Sequence, residues 1–133
     1  MLLIAVVALL ILRPWDGEFS TGESEPRSAG AYVTRVVDGD TVEARIGNEI
    51  EDVRLIGIDT PETVKPDTPV ECFGPQASSF THRVLTERPV RMVFGVERRD
   101  IYGRLLAYVY IGHRFFNAEL ARRGLARTLP IPP

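Results

Sequence analysis

The chain has 133 residues, 44% of them hydrophobic and 26% charged, a composition typical of one small globular domain rather than a disordered protein. Its single cysteine, Cys72, excludes an internal disulfide. The net charge of −2 argues by itself against a nucleic-acid-binding protein.

The charges are nevertheless unevenly distributed along the chain. Residues 31–82 hold 4 basic against 10 acidic residues, a net charge of −6, whereas residues 83–133 hold 10 arginines against 4 acidic residues, a net charge of +6. Halves of opposite sign suit a protein that binds a cation in one region and a polyanion in another. A mixed solvated surface with chance clustering of charge is the alternative.

The first segment, residues 1–12, is an unbroken apolar run. As a helix it would span about 18 Å, short of the roughly 30 Å of a bilayer core. Its length matches the apolar region of a signal peptide, although no basic residue precedes it. We therefore expect residues 1–15 to be a signal-like or membrane-anchor segment that makes the protein extracytoplasmic, either secreted or tethered. Residues 16–30 are acidic and rich in Ser and Gly, which predicts a flexible linker.

From residue 31 onwards the sequence is typical of β-structure. Three runs rich in β-branched residues are separated by Asp38-Gly39 and Gly47-Asn48, which predicts a three-strand meander. These runs are AYVTRVV, DTVEARI and EIEDVRLIGI, and two later runs, VRMVFGV and LLAYVYI, predict two further strands.

Two helices are predicted among these strands. Pro75 fits the first position of a helix that Pro89 ends, and its apolar face recurs at helical spacing in Ala77, Phe80, Thr81, Val84 and Leu85. Asn117 is expected to cap a short second helix that Gly124 closes. Five strands, one helix between the third and fourth, and a short helix after the fifth predict an α+β fold with an OB-type barrel over residues 31–133.

The stretch VVDGDTVEARIGNE, residues 36–49, places acids at the spacing of an EF-hand calcium loop, at Asp38, Asp40 and Glu49. The fifth and sixth positions are Val42 and Glu43, where such a loop needs a ligand and a glycine. Because the flanks are also β-branched rather than helical, the EF-hand is excluded. A plain hairpin turn remains as an alternative.

A second motif, VRLIGIDTPE, places Arg54 within an apolar strand and clusters Asp59 and Glu62 where that strand ends. A charge among apolar neighbours usually has a paired partner or a ligand. Carboxylates brought together would repel one another unless a cation neutralised them, and hard oxygen ligands select Ca²⁺ or Mg²⁺. Neither His82 nor His113 has a suitably spaced His or Cys partner, so zinc is not expected.

A third motif, DIYGRLLAYVY, places Arg104 directly after Tyr102-Gly103, just as a strand begins. Two arginines on separate strands that face one metal and one carboxylate base would suit phosphodiester hydrolysis. The guanidinium fork binds phosphate oxygens and stabilises the charge of the transition state. For Arg104 alone, a surface cation is the alternative.

The order of five motifs resembles that of the staphylococcal nuclease family over about residues 32–127. The motifs are D-G-D-T, V-R-L-I-G-I-D-T-P-E, F-G-P-Q-A, Y-G-R-L-L-A-Y and N-A-E-L-A-R-R-G-L-A. The resemblance implies an OB-fold barrel and calcium-dependent cleavage of DNA and RNA that leaves 3′-phosphate and 5′-hydroxyl ends.

The same resemblance assigns roles by position. It implies that the carboxylates of Asp40 and Asp59 and the backbone carbonyl of Thr60 bind Ca²⁺. Glu62 would be the general base, and Arg54 and Arg104 would bind phosphate. Residues that support the metal site or lie beside the substrate would be Asp38, Thr41 and Tyr102.

The chain also departs from the family pattern. Pro130 and Pro132 stand where tyrosines are common, Ile101 replaces a basic residue, and a third helix is missing after ARTLPIPP. Without that helix the domain loses several buried apolar side chains, each of which contributes about 1.5–3 kcal/mol. Because a whole domain is stabilised by only roughly 5–15 kcal/mol, we expect this chain to be marginally stable.

The function we expect is that of a calcium-dependent endonuclease, acting as a monomer on single-stranded DNA or RNA. The alternatives are a catalytically weak or silent nucleic-acid-binding OB module and a non-functional fragment. Retention of Asp40, Asp59 and Glu62 with both arginines favours the enzyme over the silent module.

Overall fold

The computed structural model describes residues 26–63, 67 and 72–130. Within this part of the chain, five longer strands, three two-residue strands and two helices follow one another. In chain order they are β1 (Ser28–Asp38), β2 (Thr41–Ile46), β3 (Glu49–Leu55), β4 (Ile58–Asp59), α1 (Gly74–Leu85), β5 (Arg88–Arg99), β6 (Leu105–Ile111), β7 (Arg114–Phe115), α2 (Phe116–Arg122) and β8 (Arg127–Thr128).

The five longer strands form a closed barrel. They lie in the order β3-β2-β1-β5-β6, and an additional pairing of β3 with β6 closes the ring. This closing pair is parallel, whereas the other neighbours are antiparallel. Closure covers the edge of β3 at its last three residues, from Val53 to Leu55. The predicted α+β fold with a five-stranded OB-type barrel is confirmed.

The core fills the barrel because alternate side chains of each strand point inward. Val33, Val42, Val53, Met92 and Val109 are fully buried there, one from each barrel strand. Apolar side chains of the two helices are buried as well, three from α1 and two from α2; they are Ala77, Phe80, Leu85, Phe116 and Leu120. The rings of Phe80 and Phe116 stack with centroids 5.8 Å apart, so the two helices pack against each other.

The turn between β1 and β2 is held tightly against two other elements. A side chain at Gly39 would place its first carbon only 2.7 Å from Oγ1 of Thr60, so the turn admits only glycine there. The buried Thr81 of α1 donates a hydrogen bond to the carbonyl oxygen of Gly39, at 2.7 Å. These contacts fix the positions of Asp38 and Asp40 on either side of the glycine.

Two strand boundaries differ from the prediction. Strand β1 begins at Ser28 rather than at Ala31, inside the segment predicted as a linker, because Ser28 and Gly30 lie opposite Val93 and Arg91 of β5. The third strand ends at Leu55 rather than continuing to Ile58. A turn with Gly57 at a φ of 76° separates it from β4.

The first helix begins one residue earlier than predicted, at Gly74, and Pro75 lies within its first turn. It ends at Leu85, and Pro89 lies in β5 instead of bordering the helix.

The prediction that Asn117 caps the second helix is wrong. This helix begins at Phe116 and has no side-chain cap. The amide of the buried Asn117 donates to the carbonyl oxygen of Ile56 at 2.9 Å, and its oxygen accepts from the backbone nitrogen of Val109 at 2.9 Å. Asn117 therefore ties the turn after β3 to strand β6. The predicted end is confirmed, since Gly124 has a φ of 72° just beyond the helix.

Residues 1–15 and most of residues 16–30 lie outside the described part of the chain, so the anchor and the linker stay predictions. In the part that is described, no helix has the length and apolar character needed to cross a membrane. The expectations about a third helix and marginal stability also stay predictions.

Candidate active site

A single cleft of about 370 Å³ at the mouth of the barrel brings the predicted site residues together. It lies where the β1–β2 turn, the end of β3, strand β4 and the turn before β6 meet. All nine residues singled out from the sequence line it, together with Val37; they are Asp38, Asp40, Thr41, Arg54, Asp59, Thr60, Glu62, Tyr102 and Arg104.

Arg54 occupies the centre of this cleft. Its Nη1 lies 2.9 Å from Oδ2 of Asp40, and its Nη2 lies 3.0 Å from Oδ1 of Asp59. The same guanidinium donates to the carbonyl oxygens of Leu55 and Ile58, each at 3.2 Å. The charged residue in an apolar strand thus has the paired partners that its position predicted. Its positive charge offsets the repulsion between the two carboxylates.

Asp40 is the most firmly fixed acid of the cleft. Its carboxylate is buried and accepts hydrogen bonds from the backbone nitrogen of Thr60 at 2.8 Å and from Oγ1 of Thr41 at 3.0 Å. Its backbone oxygen accepts from the nitrogen of Leu55 at 2.9 Å. Asp59, in contrast, has a side chain that is 48% exposed. One carboxylate is therefore part of the scaffold and the other faces the open cleft.

Asp38 and Glu62 form a second acidic pair. Burial raises the pKa of Asp38, while hydrogen bonds from Thr63 and from the backbone of Gly39 oppose the rise. The charge of Asp40 and a hydrogen bond with Glu62 raise this pKa further. Two neighbouring acids, Asp40 and Glu62, thus both act on Asp38 in this wall of the cleft.

Arg104 stands on a turn that one carboxylate organises. Asp100 accepts from Nε of Arg104 at 2.7 Å, and from the backbone nitrogens of Arg104 and Tyr102 at 3.0 Å each. Gly103 completes the turn with a φ of 82°. The Arg104 guanidinium carbon lies 5.3 Å from the centroid of the Tyr102 ring, which is 78% exposed. The sequence prediction did not include Asp100, although Asp followed three residues later by Gly is a turn signal.

The donor chemistry of the cleft fits a hard cation. The carboxylates of Asp40 and Asp59 are close enough together to pair with the same positive charge, that of Arg54. Beside them, Oγ1 of Thr60 is buried without a hydrogen-bond partner. No three His, Cys, Asp or Glu side chains within residues 26–63, 67 and 72–130 are grouped to hold a metal by themselves. The protein would therefore supply two carboxylates and backbone oxygen, with water completing the ligands.

The closed barrel and the carboxylate–arginine cleft at its mouth together define an OB-fold hydrolase of the nuclease type. Comparison with known sequences agrees with this class. A family model described as staphylococcal nuclease homologue matches residues 52–132.

Individual relatives match over most of the chain. The thermonuclease of Staphylococcus intermedius is 44% identical over 135 residues, covering 99% of this chain and 80% of the relative. The thermonuclease of Staphylococcus hyicus is 44% identical over 131 residues, covering 95% and 78%. Endonuclease YncB of Bacillus subtilis is 34% identical over 106 residues, covering 79% and 50%. The chain belongs to the staphylococcal nuclease family, which confirms the resemblance and supports a nuclease function.

Proposed function

We propose that this protein is a calcium-dependent endonuclease that hydrolyses phosphodiester bonds of DNA and RNA and leaves 3′-phosphate ends. The observation that supports this most is the position of Arg54, paired with Asp40 and Asp59 in the cleft that Glu62 and Arg104 also line. Single-stranded substrate suits the cleft because the exposed Tyr102 ring at its rim can stack on an unpaired base.

The carboxylates of Asp40 and Asp59 and the backbone carbonyl of Thr60 are the ligands proposed for Ca²⁺. When bound, Ca²⁺ supplies Lewis-acid polarisation of the phosphate and neutralisation of its charge. Arg54 contributes a fixed positive charge at the same place, because four acceptors hold its guanidinium in the wall of the cleft.

Glu62 is proposed to take a proton from the attacking water, whose oxygen forms a bond to phosphorus. The bond from phosphorus to the 5′-oxygen then breaks and the phosphate stays on the 3′-oxygen. The leaving oxygen takes a proton from water to become the 5′-hydroxyl, and Glu62 returns its proton to solvent. Arg104 is suited to hold the developing charge. With Nε bonded to Asp100, its two terminal nitrogens remain for phosphate oxygens.

We further propose that the enzyme acts as a monomer outside the cytoplasm. The support for this location is the apolar run of residues 1–12, which suits export or tethering.

Incubation of the full chain with single-stranded DNA, in Ca²⁺ or in EGTA, tests the proposed function. We expect cleavage in Ca²⁺ only, and a loss of about 10²–10⁴ in rate for Glu62→Gln, the range for a general base. Glu49→Gln is the matched control, because Glu49 begins β3 and does not line the cleft. End-labelling of the products should reveal 3′-phosphates.

Cleavage that survives either EGTA or Glu62→Gln would contradict this mechanism. Binding of the DNA without cleavage under any of these conditions would support the alternative, a silent nucleic-acid-binding OB module.

A further inference from the structure

Two adjoining grooves run along the outer side of helix α1. The first begins at Thr63 and passes Ser79 and His82 to reach Arg83. The second continues from Arg83 to Arg123. Because Pro75, Ser79 and Arg83 line both, they form one continuous depression, here called the α1 groove and defined by Thr63, Pro75, Ser79, His82, Arg83 and Arg123.

The α1 groove starts at the wall of the candidate active site. Thr63 directly follows Glu62, which lines the cleft. Its hydroxyl donates to Oδ1 of Asp38, another residue of the cleft wall. The start of the groove is therefore adjacent to the wall of the cleft.

The groove carries groups that bind anions. Among its described lining residues none is acidic, and hydroxyl, imidazole and guanidinium groups line it beside apolar side chains such as Phe80 and Leu125. The guanidinium carbons of Arg83 and Arg123 lie 5.6 and 4.6 Å from the centroid of the same ring, Phe80. Since this ring is buried and stacked on Phe116, it fixes both arginines to the core.

The far end of the groove stays positively charged despite one neighbouring acid. Glu119 accepts from Arg123 at 3.1 Å and from Arg114 at 2.9 Å, so one carboxylate is shared between two guanidinium groups. Arg83 adds a third positive charge to this cluster. The arginine excess of residues 83–133 is thus partly concentrated at the end of a path from the cleft.

We propose that the α1 groove binds the phosphate backbone of single-stranded nucleic acid on one side of the bond that is cleaved. The distance from Pro75 to Arg83 along the helix is about 12 Å, enough for more than one nucleotide. Arg83 and Arg123 hold phosphates there. The stacked geometry leaves the edges of the Arg83 guanidinium for phosphate oxygens, whereas Nε and Nη2 of Arg123 donate to Glu119 and its Nη1 is the nitrogen left for phosphate. This inference rests on the proposed function, since it extends the substrate of the same site.

The test compares two double variants with equal loss of charge, both made in the full chain. Arg83→Gln with Arg123→Gln removes the arginines of the groove. Arg45→Gln with Arg91→Gln is the matched control, because these arginines also lie over rings, Tyr32 and Tyr110, but on barrel strands away from the groove. Fluorescence anisotropy measures binding of a labelled 16-nucleotide single strand in EGTA, where no cleavage is expected.

We expect the groove variant to bind the 16-mer about 10-fold more weakly, whereas the control stays close to wild type. The slope of log K against log salt should fall by about 1.4, the value for two lost contacts to a single strand. In Ca²⁺, cleavage of a dinucleotide should be unaffected, because so short a substrate does not reach the groove.

The proposal would be overturned if the groove variant and the control bound the 16-mer equally weakly, or if the groove variant bound it as tightly as wild type. It would also be overturned if the groove variant lost dinucleotide cleavage as strongly as 16-mer binding. Because Arg123 also pairs with Glu119, the single variant Arg83→Gln is measured alongside; it should show about half of the change in slope. A wild type that binds the 16-mer but never cleaves it would contradict the proposed function alone. Cleavage without any dependence on Arg83 or Arg123 would contradict only the groove.

Discussion

The two arginines proposed to contact phosphate lie in very different surroundings. Arg54 belongs to the barrel: its side chain is 16% exposed, and two carboxylates and two backbone carbonyls surround it. Arg104 belongs to a surface turn: its side chain is 30% exposed, and a single carboxylate, Asp100, holds its Nε. Arg54 is therefore part of the fold as well as of the site, whereas Arg104 is placed by one local contact.

The largest expected contrast is between Arg54→Ala and Arg104→Ala. Removing Arg54 leaves the buried Asp40 without its ionic partner, so we expect a loss of about 3–5 kcal/mol in the free energy of unfolding. Removing Arg104 breaks a partly exposed pair, worth about 1 kcal/mol or less. Both variants should lose about 10²–10³ in kcat/KM. Urea unfolding and cleavage assays measure the two quantities, and equal stability losses would contradict the contrast.

A smaller effect is expected from Asp100→Asn. The amide oxygen can still accept from the backbone nitrogens of Tyr102 and Arg104, but the charged contact with Nε is lost. We expect kcat to fall about tenfold through misplacement of Arg104, with KM little changed. Asp100→Ala, which also loses the turn contacts, should be worse. Glu43→Gln is the control because it breaks a comparable pair with Arg35 outside the cleft, and a kcat of Asp100→Asn equal to that of this control would refute the positioning role.

The smallest expected effect is on how thermal stability changes at acidic pH. Burial opposes ionisation of Asp100, but hydrogen bonds from Arg104 and Tyr102 outweigh it and lower the pKa of Asp100 below its ordinary value. A carboxyl with a lowered pKa stabilises the fold above its ordinary pKa of about 4, and this contribution disappears as the pH falls through the folded value. The thermal midpoint should therefore drop less on acidification in Asp100→Asn than in wild type. Parallel curves for the two proteins would contradict this.

The barrel strands and the motifs at their ends are the features that the sequence predicts. Alternation of apolar residues predicts the five barrel strands, because the interior of the barrel takes every second side chain. Short motifs around strand ends mark Arg54 and the acids in the sequence, whereas Asp38, Thr41, Thr60 and Tyr102 are indicated only by the family resemblance. These residues come together in one cleft because the register of β2 and β3 places Thr41 opposite Arg54. The proposed roles of these residues stay predictions.

Contacts between distant parts of the chain could not be predicted. Asn117 stands at the start of a helical pattern, where a cap is the natural interpretation. Its partner Ile56 is 61 residues away, so only the closed barrel reveals that its amide bridges a turn and a strand. Asp100 is different, since its turn spacing, Asp followed three residues later by Gly103, is visible in the sequence.

The bridge made by Asn117 also sets an order of events during synthesis. A ribosome makes Asp40, Arg54 and Asp59 long before Asn117. The turn that leads into β4 is also held by later residues, through that amide, a hydrogen bond from Ile56 to Ala107 and the pairing of β4 with β8. Strand β6, which closes the barrel beside Arg54, is likewise made late. The nascent protein therefore carries its acids and first arginine without an assembled site until its final third has emerged and folded.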